Sequence, residues 1–372
     1  MLTIKKSNIV GFLLGVAISV PALKWVISFP GPALNLIVCF SIFIFLLAES
    51  KFQLVSKNII VTLFVFKITF LFYALVSTDQ YFYNYSSNIV QLLLNTILGI
   101  FLLCYRNIQE SYPVFMFTVV IVSYIILISY FILGLSTDQN FNYLTITLPL
   151  GTSLVIGLSS LYKEKVTIKM LTHVIIMVSA ILFIGGRGPL VACFLLPIFY
   201  LFKFNFDRRV IFVTISLFSV ISILVYAAFS YDLINAWMLH KIFEFLRNGV
   251  QGELRSVVYL ETLRLFAESP IFGNGFAAPT LLKLPWNEGA INPHVDSFLL
   301  ELLLCFGIFS FPLIVVTFYP LWLRVISFSH LQKLSIYFYF LLNFGKSWSL
   351  ADASIMFLLF PWVIGVPRRR GE

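Results

Sequence analysis

The chain has 372 residues, of which 60% are hydrophobic and 11% charged, and its mean hydropathy is +0.98. A soluble domain carries about 25% charged residues, so a soluble globular protein is excluded. The net charge of +9 would suit a nucleic-acid partner if it were gathered in one patch, but it is dispersed between hydrophobic runs, and no nucleic acid is expected.

Apolar runs of about twenty residues match the roughly 30 Å hydrocarbon layer of a bilayer. In lipid such runs must be helical, because the backbone has to satisfy its own hydrogen bonds. In chain order they fall at 9–29, 33–48, 58–76, 88–104, 113–134, 143–161, 168–184, 188–202, 210–230, 296–318, 334–345 and 350–366. The expected fold is therefore all-α, a polytopic transmembrane helical bundle of about 12 spans. The run at 334–345 is short for a span, which leaves it tilted, re-entrant or longer than its hydropathy suggests. Residues 1–29 begin like a signal peptide, but the apolar run is long and no small-x-small cleavage site follows, so it reads as an uncleaved first span.

Lysines and arginines gather in alternate loops: Lys5 and Lys6; Lys51 and Lys57; Arg106; Lys163, Lys165 and Lys169; Lys203, Arg208 and Arg209; Arg324 and Lys333; Arg368, Arg369 and Arg370. The intervening loops 77–87 and 135–142 have none. This is the positive-inside pattern. It implies a multi-pass protein of the bilayer with both termini cytoplasmic. Residues 1–372 read as a single integral membrane domain. Cys39, Cys104, Cys193 and Cys305 lie within or at the ends of spans without metal-ligand spacing. No disulfide, metal or cofactor is expected.

Most connections are short. The exception is residues 231–294, a large periplasmic or extracellular loop with six acidic and five basic residues. Loops of this length without low complexity are usually functional. Within it, 253–267 reads as a helix of about four turns, ended by Ser269-Pro270 because proline disfavours helix in the residue before it. Gly273-Asn274-Gly275 reads as a turn.

Three features on this side could carry chemistry. The first is Gly185-Gly186-Arg187-Gly188-Pro189, a tight turn in which Pro189 suits the first turn of the next helix. Arg187 either snorkels to headgroups or binds an anion. The second is the loop helix, where Arg255, Tyr259, Thr262 and Phe266 share one side. Arg264 lies opposite, with Glu261 three residues before it and able to pair. Arg255 has no carboxylate at helical spacing, so it is either a solvated surface arginine or the better anion ligand, its planar fork matching phosphate. The third is Pro293-His294-Val295-Asp296. His294 stands at the start of a span as a structural histidine or as a base for a sugar hydroxyl. Asp296 and Glu301 could orient it. Trp286 could stack a sugar, and Lys67 lies mid-span, where a charge usually faces a cavity. Two arginines to neutralise a pyrophosphate and a base to activate an acceptor hydroxyl are the logic of glycosyl transfer from a lipid-linked donor.

These pieces are GGRGPLVA at 185–192, R-x-x-x-Y at 255–259, SPIFGNG at 269–275 and PHVDSFLLELLLCFGI at 293–308. In their order and spacing the chain resembles the bacterial O-antigen ligase/polymerase family over about 185–310. The resemblance implies a membrane glycosyltransferase that takes an undecaprenyl-pyrophosphate-linked glycan at the outer face of the bacterial inner (cytoplasmic) membrane. It implies that Arg187 and Arg255 contact the pyrophosphate and that His294 is the catalytic base, with Arg264, Tyr259, Asp296 and Trp286 as further substrate-binding candidates. It also implies a chain-length regulator and a flippase as partners. The family's usual serine before the first arginine is Gly186 here, and the usual asparagine after the histidine is Val295. These departures favour an O-antigen or other surface-polysaccharide polymerase over the related ligase, which moves finished polymer to lipid A-core. A lipid-linked oligosaccharide flippase is the alternative from another class; such transporters more often show two similar halves.

Overall fold

The structure is a computed structural model and describes residues 5–27, 31–47, 81–105, 107–132, 143–163, 167–184, 187–203, 208–230, 254–275, 278–282, 295, 297–322, 328–347 and 353–364. The regular elements among them are helical. In chain order they are α1 (Lys6–Val26), α2 (Gly31–Leu47), α3 (Tyr81–Cys104), α4 (Ile108–Ile132), α5 (Tyr143–Lys163), α6 (Ile168–Ile184), α7 (Arg187–Lys203), α8 (Arg208–Ser230), α9 (Leu254–Glu268), α10 (Phe298–Phe306), α11 (Phe311–Trp322), α12 (Phe328–Ser347) and α13 (Met356–Ile364). Short 3-10 turns cover Ala278–Leu281 and Gly307–Ser310.

Among the described residues, four segments are long and apolar enough to cross a membrane: Lys6–Val26, Ile108–Ile132, Leu144–Tyr162 and Phe298–Trp322. The chain is thus a helical membrane protein. The expected total of about 12 spans rests, beyond these four, on the sequence. The expected span at 58–76 lies outside the described residues.

The chain divides into two compact units. One comprises Met1–Val38, Glu110–Phe243 and Arg324–Leu342, and the other Cys39–Gln109, Glu244–Leu323 and Asn343–Glu372.

In the first unit α5 is central, packing along α6 and against α1, α7 and α8. Its small residues explain why. Between helices in lipid, small side chains allow close backbone approach. A Cβ at Gly157 would lie 2.6 Å from His173 Cδ2, and one at Gly151 would collide with the Tyr339 hydroxyl. Several hydroxyls of α5 are satisfied locally, as where Thr152 donates to the Leu148 carbonyl at 2.8 Å and Ser160 to that of Ile156 at 2.9 Å. The pair Gly11 and Gly15 does the same for α1, their Cβ positions running into the Ser111 carbonyl and the Thr118 side chain.

The run expected at 334–345 belongs to a helix of 20 residues, α12. Hydropathy understates it because its first turns carry His330, Gln332 and Lys333. These three are buried. Gln332 donates to Ser159 Oγ (2.9 Å), Ser335 to Tyr200 Oη (2.9 Å), and Tyr339 Oη to the Thr147 and Leu148 carbonyls at 3.2 Å each. Lys333 Nζ lies 4.9 Å from the Tyr112 ring centroid. Polar side chains inside a helical membrane protein usually face partners, and here the neighbouring helices meet Gln332, Lys333, Ser335 and Tyr339 with hydroxyls, carbonyls and a ring.

In the second unit α3 packs on α13. A Cβ at Gly99 would lie 2.6 Å from the Phe357 carbonyl oxygen. Asn95 donates to Ser354 Oγ at 2.8 Å, and Trp362 Nε1 to the Ile108 carbonyl at 2.8 Å. The expected span at 350–366 is, among the described residues, a turn at Ser354 and Ile355 followed by the nine-residue α13.

Candidate functional site: the loop helix and its latch

The loop helix α9 runs Leu254–Glu268, one residue later at each end than its pattern suggests. Val258, Thr262 and Leu265 form its buried face. That face packs on α10. Thr262 satisfies its hydroxyl on the Val258 carbonyl (2.7 Å). Tyr259 and Phe266 are half-buried beside it. On the opposite side Arg264 meets Glu261 in a two-pronged contact, Nε to Oε2 and a terminal nitrogen to Oε1, both 2.8 Å. It also donates to Glu268. These carboxylates, Glu261 foremost, raise the proton affinity of the guanidinium above its already high ordinary value. The expected Arg264–Glu261 pair is present, with Glu268 as an unforeseen third member.

After Glu268 the SPIFGNG segment folds back on itself. The Gly273 amide donates to the Ser269 carbonyl (2.9 Å), and the Ser269 hydroxyl to the Gly273 carbonyl (2.8 Å). Asn274 Nδ2 caps the last turn of α9 by donating to the Leu265 carbonyl at 2.9 Å. Gly273 and Gly275 hold φ of 73° and 81°, the left-handed region that glycine enters without cost.

The expected span at 296–318 is not one helix. α10 stops at Gly307, whose φ of 57° and ψ of −142° turn the chain out of helical geometry. A break leaves carbonyls without their acceptance of the usual i+4 amide, and the SPIFGNG turn meets that need. The Asn274 amide donates to the Leu304 carbonyl (2.8 Å) and the Gly275 amide to the Cys305 carbonyl (3.1 Å). In exchange the Ile308 amide, which would have served Leu304, donates to the Pro270 carbonyl (2.9 Å). Backbones approach so closely that a Cβ at Gly307 would lie 2.5 Å from both the Pro270 and Ile271 oxygens, and one at Gly273 would collide with the Cys305 backbone. Two separate sequence motifs, SPIFGNG and the CFGI end of the last one, are thus the two halves of a single latch.

The latch ties the helix that carries Arg255 to the helix that follows His294. Arg255 is in the first turn of α9, and its position lies two turns before Thr262 on the same helix face. Val295, next to His294, is fully buried, and Ser297 and Glu301 at the start of α10 are buried too. Glu301, one of the carboxylates suggested for orienting His294, is therefore an interior residue of this unit. His294, Asp296 and Trp286 lie outside the described residues, as does Lys67, and so do the side chains of Arg187 and Arg255. Arg187 is the first residue of α7, in the first unit. Pro189 stands in the first turn of α7, as expected, and is buried against α5, 3.0 Å from where a Cβ on Gly151 would stand.

Residues 172–315 match the family model of the O-antigen ligase. This segment is O-antigen ligase/polymerase-like. The match takes in all four motifs, from GGRGPLVA to the CFGI end of α10. The O-antigen ligase family comprises membrane glycosyltransferase-like enzymes, so the matched segment supports a ligase/polymerase type of function. No curated protein matches the chain. Within the matched segment, Asn274 and Gly307 are the residues whose roles the sequence left unassigned. The signal was present: an asparagine between two glycines, and a glycine inside an otherwise unbroken apolar run.

Proposed function

We propose that this protein is a surface-polysaccharide polymerase, joining undecaprenyl-pyrophosphate-linked oligosaccharide repeat units at the outer face of the bacterial inner membrane, with both termini cytoplasmic. The observation that carries the reading is the match over 172–315, because it includes Arg187, Arg255 and His294 together with the motifs around them. In the reaction, a hydroxyl of one lipid-linked unit attacks the anomeric carbon of the donor sugar. The new C–O bond forms as the bond from that carbon to the phosphate oxygen breaks, and undecaprenyl pyrophosphate departs with the electron pair. His294 accepts the hydroxyl proton. Arg187 and Arg255 bind the pyrophosphate and stabilise the charge it gains on leaving. Arg264, held by Glu261 and Glu268 on the other side of α9, is assigned no part in stabilising the pyrophosphate. Tyr259, Asp296 and Trp286 line the acceptor. A flippase that delivers the units and a regulator of chain length are its expected partners.

The ligase reading stays second. It is favoured by the description of the matched family, whereas Gly186 and Val295, where the family usually has serine and asparagine, favour the polymerase. The test is complementation of a deletion strain with Arg187→Ala, Arg255→Ala and His294→Ala. Each should abolish polymer while the protein still accumulates in the membrane. Normal polymer from all three would sink the site assignment.

A further inference from the structure

The side-chain environment of the segment 295–322 changes abruptly at Gly307. Among its described residues, none from Val295 to Gly307 is exposed. Beyond it, Ile308, Phe311, Val315, Tyr319 and Trp322 are all exposed. Their spacing of three and four residues makes one continuous stripe. Large apolar side chains exposed in a row on a membrane helix are what hydrocarbon contact requires, and the change therefore marks where lipid contact begins. Length agrees. The four 3-10 residues rise roughly 8 Å and the twelve residues of α11 about 18 Å, together near the roughly 30 Å of hydrocarbon. α10 is then not part of the lipid-facing crossing, although its hydropathy places it there. Its sides are occupied by protein.

The tip of the SPIFGNG turn sits beside that boundary. Ile271 and Phe272 are 54% and 61% exposed, and the Phe272 ring stacks on that of Phe309, itself exposed, with centroids 5.5 Å apart. Four residues before Phe272 the character reverses, with Glu268 and Arg264 exposed and ion-paired. A charged cluster on one side and an uninterrupted apolar patch on the other is the profile of a membrane–water boundary.

We propose that the tip of the latch, Ile271 and Phe272 with Ile308, Phe309 and Phe311, is seated in the hydrocarbon of the bilayer, so that the C-terminal end of α9 is anchored at the membrane surface. The occupant is lipid acyl chain, because the patch continues into the lipid-facing stripe of α11. This inference does not depend on which glycan the protein handles, so it can fail without the polymerase reading failing.

The test uses the full chain, with Cys39, Cys104, Cys193 and Cys305 replaced by alanine, carrying Phe272→Cys, Phe309→Cys or Glu268→Cys, spin-labelled and reconstituted in phosphatidylcholine–phosphatidylglycerol vesicles. Labels at 272 and 309 should collide more with oxygen than with a water-soluble nickel chelate, and the label at 268 the reverse. Nickel contact at 272 and 309 equal to that at 268 would mean the tip is in water and would overturn the proposal. Low contact with both reagents at 272 and 309 would mean protein covers the patch, which overturns it equally. Two tip positions are probed so that failure of one variant to fold leaves the other to decide.

Discussion

Gly307→Ala is the sharpest perturbation of the latch. At φ of 57° and ψ of −142° a Cβ carries a backbone strain of about 1–3 kcal/mol. The larger effect is steric. The new carbon would lie 2.5 Å from the Pro270 and Ile271 carbonyl oxygens, which are backbone atoms and cannot rotate aside, so the turn must lift off α10. That breaks the Asn274–Leu304, Gly275–Cys305 and Ile308–Pro270 hydrogen bonds. At about 1 kcal/mol each they amount to about 3 kcal/mol before strain is added, which corresponds to roughly 150-fold in the local opening equilibrium. Hydrogen exchange of the purified protein in nanodiscs reads this directly, since amide protection reports local opening. The amides of Asn274, Gly275 and Ile308 should lose at least about 100-fold of their protection, while those in the middle of α5 keep theirs. Gly345→Ala is the control: its Cβ would meet nothing within 4 Å. A helical glycine replaced by alanine gains about 1 kcal/mol. Protection in Gly307→Ala within a few-fold of the parent would refute the latch.

Asn274→Ala should weaken the same latch by about 1 kcal/mol through loss of the bond to Leu265, and Asn274→Asp should not restore it, because a carboxylate cannot donate to that carbonyl; protection of the last α9 amides checks both. Arg264→Gln should lower polymer output less than Arg255→Gln on a surface-polysaccharide gel, since the Arg264 guanidinium is already engaged by Glu261 and Glu268. Ser335→Ala should remove one hydrogen bond at the buried Tyr200 hydroxyl, at a cost of about 1 kcal/mol, seen as a lower unfolding midpoint in detergent. Gly11→Val should push α1 away from the Ser111 carbonyl and reduce accumulation in the membrane, read by immunoblot.

Much of the helical layout was legible from hydropathy alone, because a run of apolar residues in lipid has one satisfactory backbone solution. The run at 168–184 agrees with α6 to the residue. The limits of α9 were legible too, because Ser269-Pro270 stops a helix locally. The break at Gly307 was not. A glycine inside FLLELLLCFGIFSF leaves the hydropathy high, and what ends the helix is a turn more than thirty residues earlier that supplies amides to its carbonyls. The length of α12 was hidden for the opposite reason: Gln332 and Lys333 look like loop residues until Ser159, Ser160 and Tyr112 are placed beside them. As for the site, the spacing of Glu261 and Arg264 foretold their pairing, whereas the joining of α9 to α10 depends on contacts that no local pattern encodes.

The polymerase claim is tested most directly by the surface polysaccharide of a deletion strain, resolved on a gel. The expected result is a single repeat unit capping the lipid A-core, meaning that ligation continues and polymerisation is lost. Bare core with long polymer still held on undecaprenyl pyrophosphate would contradict it in favour of the ligase, and bare core with lipid-linked units trapped on the cytoplasmic face would contradict it in favour of a flippase.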